Sequence, residues 1–383
     1  MRRLQAPLVL LACALAGCVT SGQISRRAVS YNTAIEAARG EMLLLNVLRA
    51  RDRRQMVFTG LTRITGSVRA EGRIGATGTL EEPGKAAIGP GATIVDSPTF
   101  DIAVLDSQEF TRGIMTPLSF ELLEYFWDQG FVREMLLYLA TERIEVECAS
   151  GEAPRALEND PRAPSWAAFR STLEAIADSG RWEMVDHLTE EVGPPVEPSE
   201  ALRLPTLVSI ANAKLRLARR ADDHWQLVRP VERQRLVARG HDVCATTPSS
   251  DVRFAFYETK RALETAPANE PGERRARIVV RSPQAILFYL GEMARPGREV
   301  AIRQRDAAQQ EVERLMVVRD ADQCPQALVS ANYGGKRWVI PDGSGECHPG
   351  RSMQSMALAA QLLSLQQSAR DLPAAGTVRI IGQ

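Results

Sequence analysis

The chain has 383 residues, with 47 Lys plus Arg set against 47 Asp plus Glu, and 44% of its residues are hydrophobic. This length suits two or three domains of about 100 to 200 residues each. Balanced charge leaves no field that would gather nucleic acid or anionic lipid over distance, so no nucleic-acid partner is expected.

Arg2 and Arg3 form a positive start, Leu8 to Leu15 an apolar core, and Leu15-Ala16-Gly17-Cys18 follows directly. The core is the length of a signal-peptide h-region and falls short of the roughly 20 residues that a membrane-spanning helix needs. Leu-Ala-Gly-Cys resembles the lipobox of bacterial lipoproteins. That resemblance implies cleavage before Cys18 and acylation of Cys18, and because Val19 is not Asp it implies sorting to the outer membrane, facing the periplasm. Two or more acyl chains give stable anchoring where one would be marginal. The alternative is an ordinary cleaved signal with a chance cysteine.

After a short basic tether, Ser30 is placed to start a helix running to Arg51, with Ile35, Ala38, Met42, Leu45 and Leu48 on one face. From Met56 to Asp106 the period changes to two. Ile64, Gly66, Val68, Ala70, Gly72 and Ile74 alternate with polar residues, Glu82-Pro83-Gly84-Lys85 interrupts, and a second extended run reaches Leu105. This predicts a long β-hairpin of unusually small residues. Thr116-Pro117 should open a helix, Leu137 to Glu147 reads as a strand whose first half could be helical, and Ser165 to Ala177 reads as a helix. Farther on, the pattern predicts a strand at Arg277–Arg281, a helix from Ser282-Pro283 to Gly291, and a helical Arg/Glu/Gln-rich stretch. A strand at Leu315–Val318 comes next. Then follow a hairpin turning at Gly334-Gly335, a helix from Ser352 to Ser368 and a strand at Thr377–Ile381.

Together these elements give an α+β fold. The expected division is a signal peptide (1–17), a lipidated tether (18–28), the helix with its Gly/Ala-rich hairpin (29–113), a central α+β domain (114–250) and a C-terminal α+β domain (251–383). The last domain is expected as a β-α-β-β-β-α-β module.

With Cys13 lost in the signal and Cys18 acylated, Cys148, Cys244, Cys324 and Cys347 remain. An even count in an oxidising compartment implies two disulfides. Three pairings are possible, and Cys324 with Cys347 is preferred because both flank one apparent hairpin, leaving Cys148 with Cys244.

The segments Tyr31-Asn32, Leu43-Leu44-Leu45-Asn46, Pro98 to Gly113, Arg281-Ser282-Pro283-Gln284, Tyr289-Leu290-Gly291 and Trp338-Val339-Ile340-Pro341 resemble a family of uncharacterised proteobacterial lipoproteins. The resemblance carries an envelope location and no catalytic residue.

No spacing in the sequence assembles a reaction centre. His187, His224, His241 and His348 are dispersed, and a catalytic base needs a positioned neighbour. Gly343-Ser344-Gly345 lacks the strand-to-helix setting of a nucleophile elbow. Gly72, Gly75 and Gly78 lack the helix that follows a phosphate loop. Asp101, Asp106 and Glu109 could be imagined as an acid pair but read more simply as solvated. No metal or cofactor site is expected. The first functional reading is a non-catalytic structural, assembly or scaffold protein, held to the membrane by lipid and docking on envelope partners. The second is a homo-oligomer whose hairpins join into an export barrel, since a membrane strand needs about 9 to 11 residues, although aromatic girdles are lacking. The third is a periplasmic hydrolase.

Overall fold

The computed structural model describes residues 29–74, 90–148, 153–213, 215–220, 223–245, 251–264, 272–303, 312–366 and 378–380. Residues 1–28, where the signal peptide, the tether and the acylated Cys18 are expected, lie outside the described residues.

Helix α1 (29–51) is exposed through its first half and buried through its second. Leu43, Leu44, Val47, Leu48 and Ala50 enter the core, so the buried side is set one position away from the expected Met42 and Leu45. At its end Asn46 bonds the chain in both directions. Its Nδ2 donates to Val57 O at 2.8 Å, and its Oδ1 accepts from Val57 N at 3.0 Å. A buried amide that finds both partners fixes the turn into the next element.

That element is a ribbon of β1 (Thr59–Ile74) and β2 (Pro90–Val104), paired antiparallel from Thr59 opposite Val104 to Ile74 opposite Pro90. A hydrogen bond from Leu105 N to Phe58 O closes its base. Helix α2 (Gln108–Met115), capped by Ser107, follows and was not legible as a helix in the sequence. Thr116 ends α2. The next cap is Ser119, whose side chain accepts from Leu122 N, and it opens α3 (Phe120–Asp128) in place of Thr116-Pro117.

Helix α4 (Arg133–Ala140) is buried from Glu134 onward and runs without a loop into β3 (Thr141–Val146). The expected strand from Leu137 is thus helical up to Ala140. Apolar residues on every side, as in Met135-Leu136-Leu137, suit a fully buried helix as well as a buried strand, and periodicity cannot separate the two. The chain continues through β4 (Arg155–Glu158), α5 (Trp166–Ser179), β5 (Arg181–Val196), α6 (Pro198–Ala201), α7 (Leu204–Asn212), β6 (Arg216–Arg219), β7 (Trp225–His241), β8 (Asp251–Tyr257), α8 (Lys260–Glu264), β9 (Glu273–Val280) and α9 (Pro283–Met293). After α9 come β10 (Ala301–Arg303), β11 (Val312–Arg314), β12 (Arg319–Asp320), β13 (Ala327–Tyr333), β14 (Lys336–Pro341), α10 (Ser352–Leu365) and β15 (Val378–Ile380).

One seven-stranded sheet organises the body, in the order β4-β3-β9-β8-β7-β5 with β6 beside β7. It is antiparallel except for β8 and β9, which pair in parallel across α8. One face meets the helices of the main core, which holds residues from Leu43 to Leu363. On the other face Arg275 pairs with Glu147 and Arg277 with Glu145 across β3 and β9. An antiparallel sheet can keep one side wet in this way.

Two expectations for the last third are corrected. Residues Leu315–Val318 are not a strand: the strand there is β11, one segment earlier, paired to β10 in the stretch expected to be helical. Leu315 to Val318 form a buried connection whose backbone groups bond to helix α10 and the β10 side: Val317 N to Ser352 Oγ, Ser355 Oγ to Leu315 O, and Leu315 N to Val300 O. Side-chain hydroxyls satisfy backbone groups that a strand would satisfy by pairing.

The β-α-β-β-β-α-β module also does not form as one unit. Strand β9 joins the large sheet, β12, β14 and β13 make a separate sheet, and β15 pairs with β2 at Phe100–Ile102. The division at residue 250 accordingly runs through a single sheet, with β3 to β7 on one side of it and β8 and β9 on the other.

Candidate functional site

The sulfurs of Cys148 and Cys244 are 2.02 Å apart and those of Cys324 and Cys347 are 1.96 Å apart, with Cα separations of 5.3 and 5.7 Å. The first pair sits in a polar clasp. Arg274 bonds Asp242 at 2.8 Å and donates to Cys148 O at 3.2 Å, while Cys244 N donates to Asp242 Oδ1 at 3.0 Å.

The histidines do not converge. His224 Nε2 lies 3.1 Å from Glu197 Oε1, and His348 Nδ1 accepts from Gly350 N at 3.0 Å, both at the surface. His241 ends β7, and the side chains of His187 and Asp101 lie outside the described residues. Glu109 occupies the first turn of α2 and Asp106 is exposed. Ser344 precedes a short 3₁₀ turn at Gly345–Cys347. Gly72 lies in β1, and Gly75 and Gly78 fall outside the described residues. Among the described residues no three His, Cys, Asp or Glu gather as a metal site, and no helix is long and apolar enough to cross a membrane.

The most concentrated buried polar chemistry lies where α4, β3 and α9 meet. A helix leaves its last four carbonyls without partners, and α4 ends inside the core, where water cannot supply them. Thr141 N takes Leu137 O. Arg281 Nη1 donates toward Tyr138 O at 2.9 Å, Leu139 O at 3.2 Å and Thr141 O at 2.5 Å, and Arg281 N takes Ala140 O at 2.6 Å. Asn159 Nδ2 adds bonds to Tyr138 O at 2.9 Å and Thr141 O at 2.7 Å, while its Oδ1 accepts from Tyr289 Oη at 2.9 Å. A cation at a helix C-terminus also meets the negative end of the helix dipole.

Arg281 is 6% exposed and no carboxylate lies within ion-pairing distance of it among the described residues. Burial pulls its pKa down to about 10, which leaves it charged at neutral pH. The Tyr289 ring lies 3.8 Å beneath the guanidinium, in the range of a cation–π contact. Burial pushes the Tyr289 hydroxyl up, so it remains a hydrogen-bond donor. Nε and Nη2 of Arg281 have no hydrogen-bond partner among the described residues. The residue borders a cavity of about 350 Å³ that also touches Asn159, Phe288, Tyr289 and Met293. The sequence marks Arg281 as the end of a strand and Ser282-Pro283 as a helix start, and shows nothing of this role. The signal present was an arginine at the end of an apolar strand, directly before a capped helix.

The second candidate is an edge rather than a cavity. In the ribbon sheet β1 is an outer strand with no further strand beside it among the described residues, and β2 is covered by β15 along three residues only. The distal half of the β5–β7 ribbon likewise leaves the large sheet, carrying α6, α7 and β6 at its end. There Leu204 and Val208 are 74% and 51% exposed. No protein-family model, curated protein or solved structure matches this chain.

Proposed function

We propose that the chain is a lipid-anchored envelope protein of the outer membrane that acts without catalysis, as a scaffold or assembly component, by docking the β1–β2 ribbon on a partner. Leu15-Ala16-Gly17-Cys18 supplies the motive for the anchor, by its resemblance to a lipobox. The observation that carries the docking role is the ribbon edge. Its arms are 16 and 15 residues long, and β1 offers one whole side of unpaired backbone among the described residues. Such an edge is a template for another chain unless something covers it, and a two-stranded ribbon is marginal alone in water. Addition of a strand from a partner answers both problems.

Arms of this length also fit the second reading, in which copies of the chain close their ribbons into a barrel, since about 9 to 11 residues cross a membrane. Phe100 is the one aromatic residue between Thr59 and Val104, and barrels carry aromatic girdles at both interfaces. This composition favours a protein partner.

The anchor is tested by labelled palmitate. Wild type should incorporate label and sediment with membranes, and Cys18→Ser should do neither. Label persisting in Cys18→Ser would refute it. For the docking role, Val68 to Val95 are replaced by a short turn. The variant should keep its melting temperature within a few degrees and lose its envelope partner.

A further inference from the structure

We infer that the cavity beside Arg281 binds a carboxylate, held by the free Nε and Nη2 edge of the guanidinium. This ligand site is independent of the ribbon and of the lipid anchor.

The argument begins from donors. A guanidinium offers five N–H groups, and here a single nitrogen, Nη1, serves the end of α4. Nε and Nη2 bond nothing among the described residues, yet they are not among the sealed polar atoms of the interior. They therefore face the cavity that the residue lines. In a site this enclosed, with Arg281 6% exposed and without a carboxylate partner among the described residues, an anion that accepts from both donors and balances the charge is favoured over the few waters that can reach them. The Nε–Nη2 edge is a rigid fork matched to the two oxygens of a carboxylate. Stacking on Tyr289 and the bonds to α4 hold that fork still before any ligand arrives, which reduces the ordering that binding requires.

The rest of the lining selects among anions. Arg53 and Arg298 also border the cavity, but both are engaged by Glu292. Glu142 and Asp160 lie on the rim as well and are paired to Arg143 and Arg162. One free cationic fork among three carboxylates suits a single negative charge, whereas a phosphate dianion would meet repulsion with no second free cation. Phe288, Met293 and Ala285 give the remainder of the wall an apolar character, so the carboxylate should carry an apolar substituent. A small organic acid and the C-terminus of a partner chain share this chemistry.

The test uses the full chain in detergent, labelled with ¹⁵N-arginine, and follows the Arg281 Nε resonance. That resonance is assigned by its absence from Arg281→Lys. Benzoate should shift it saturably at one site per chain, and the neutral isostere benzamide should bind at least tenfold more weakly. Ala285→Trp fills the cavity without touching the bonds to α4. It should keep the melting temperature and weaken benzoate by at least tenfold, which separates a ligand site from a purely structural arginine. A pentapeptide with a free C-terminus, compared with its amide, separates the sources. Competition by the acid form alone assigns a chain end, and its failure beside successful benzoate binding assigns a small acid. The inference is overturned if benzoate acts no better than chloride at equal ionic strength, if benzamide matches it, if inorganic phosphate binds more tightly, or if Ala285→Trp leaves binding intact.

Discussion

At the scale of single residues, the stability of this protein rests on polar groups that finish elements inside the core. Asp242 is the clearest case. Burial alone would raise its pKa, but the Arg274 guanidinium and the Cys244 N–H more than offset burial and hold it below the usual 3.8. A carboxylate depressed in the folded state stabilises fully above the unfolded value and loses that contribution as pH falls through the folded one. Asp242→Asn should therefore lower stability by about 1 to 3 kcal/mol at pH 7. In urea melts the gap to wild type should narrow once the pH falls well below 3.8, and a gap constant across that range would show that the carboxylate's charge is irrelevant.

Gly291 makes a different kind of demand. A Cβ added there would lie 2.6 Å from Arg51 N and 2.9 Å from Ala50 C. Both are backbone atoms of the end of α1, so neither can swing aside. Gly291→Ala should cost about 1 to 3 kcal/mol through overpacking, despite the better helix propensity of alanine. A variant as stable as wild type in urea would mean that α1 and α9 can separate freely.

At the scale of elements, the sequence was most legible where the chain meets water and least where it does not. The hairpin at Gly334-Gly335 could be read because both glycines carry positive φ, at 61° and 76°, as a tight turn requires. Helix α9 could be read because Ser282 and Pro283 mark its start. The Leu315–Val318 connection reads as a strand, and the sequence leaves the helical or extended state of Leu137–Ala140 open, because both stretches are apolar and buried and the periodic signal needs a wet side. The destination of β15 was beyond sequence reasoning, since three residues cannot specify which of several edges they join. Of the candidate site, the sequence displayed Arg281 and Tyr289 but not Asn159, which bonds Tyr289 from 130 positions away along the chain.

The same contrast predicts opposite responses from two apolar helices. Leu137→Ala and Leu139→Ala in α4 remove fully buried side chains and should cost about 2 to 5 kcal/mol each. Leu204→Ser and Val208→Ser in α7 alter exposed ones and should stay within about 0.5 kcal/mol. Equal losses at both helices would mean that α7 is packed against the body.

At the scale of the molecule, one core holds the body together while two ribbons leave it. Cys148 and Cys244, 96 positions apart, tie β3 to the end of β7 and close a loop that in the chain-entropy model contributes about 4 to 5 kcal/mol. Reduction should therefore lower the melting temperature of the body without releasing the ribbon from it. The account of function depends on whether the β1–β2 edge is occupied in the envelope. The mass and composition of the particle released by gentle detergent, for wild type and for the chain lacking Val68 to Val95, test this most directly. We predict that wild type leaves the membrane bound to a second envelope protein and that the shortened chain leaves it alone. A wild-type chain that emerges as a monomer, indistinguishable from the shortened one, would contradict the account, and a ring of identical chains would replace it with the barrel.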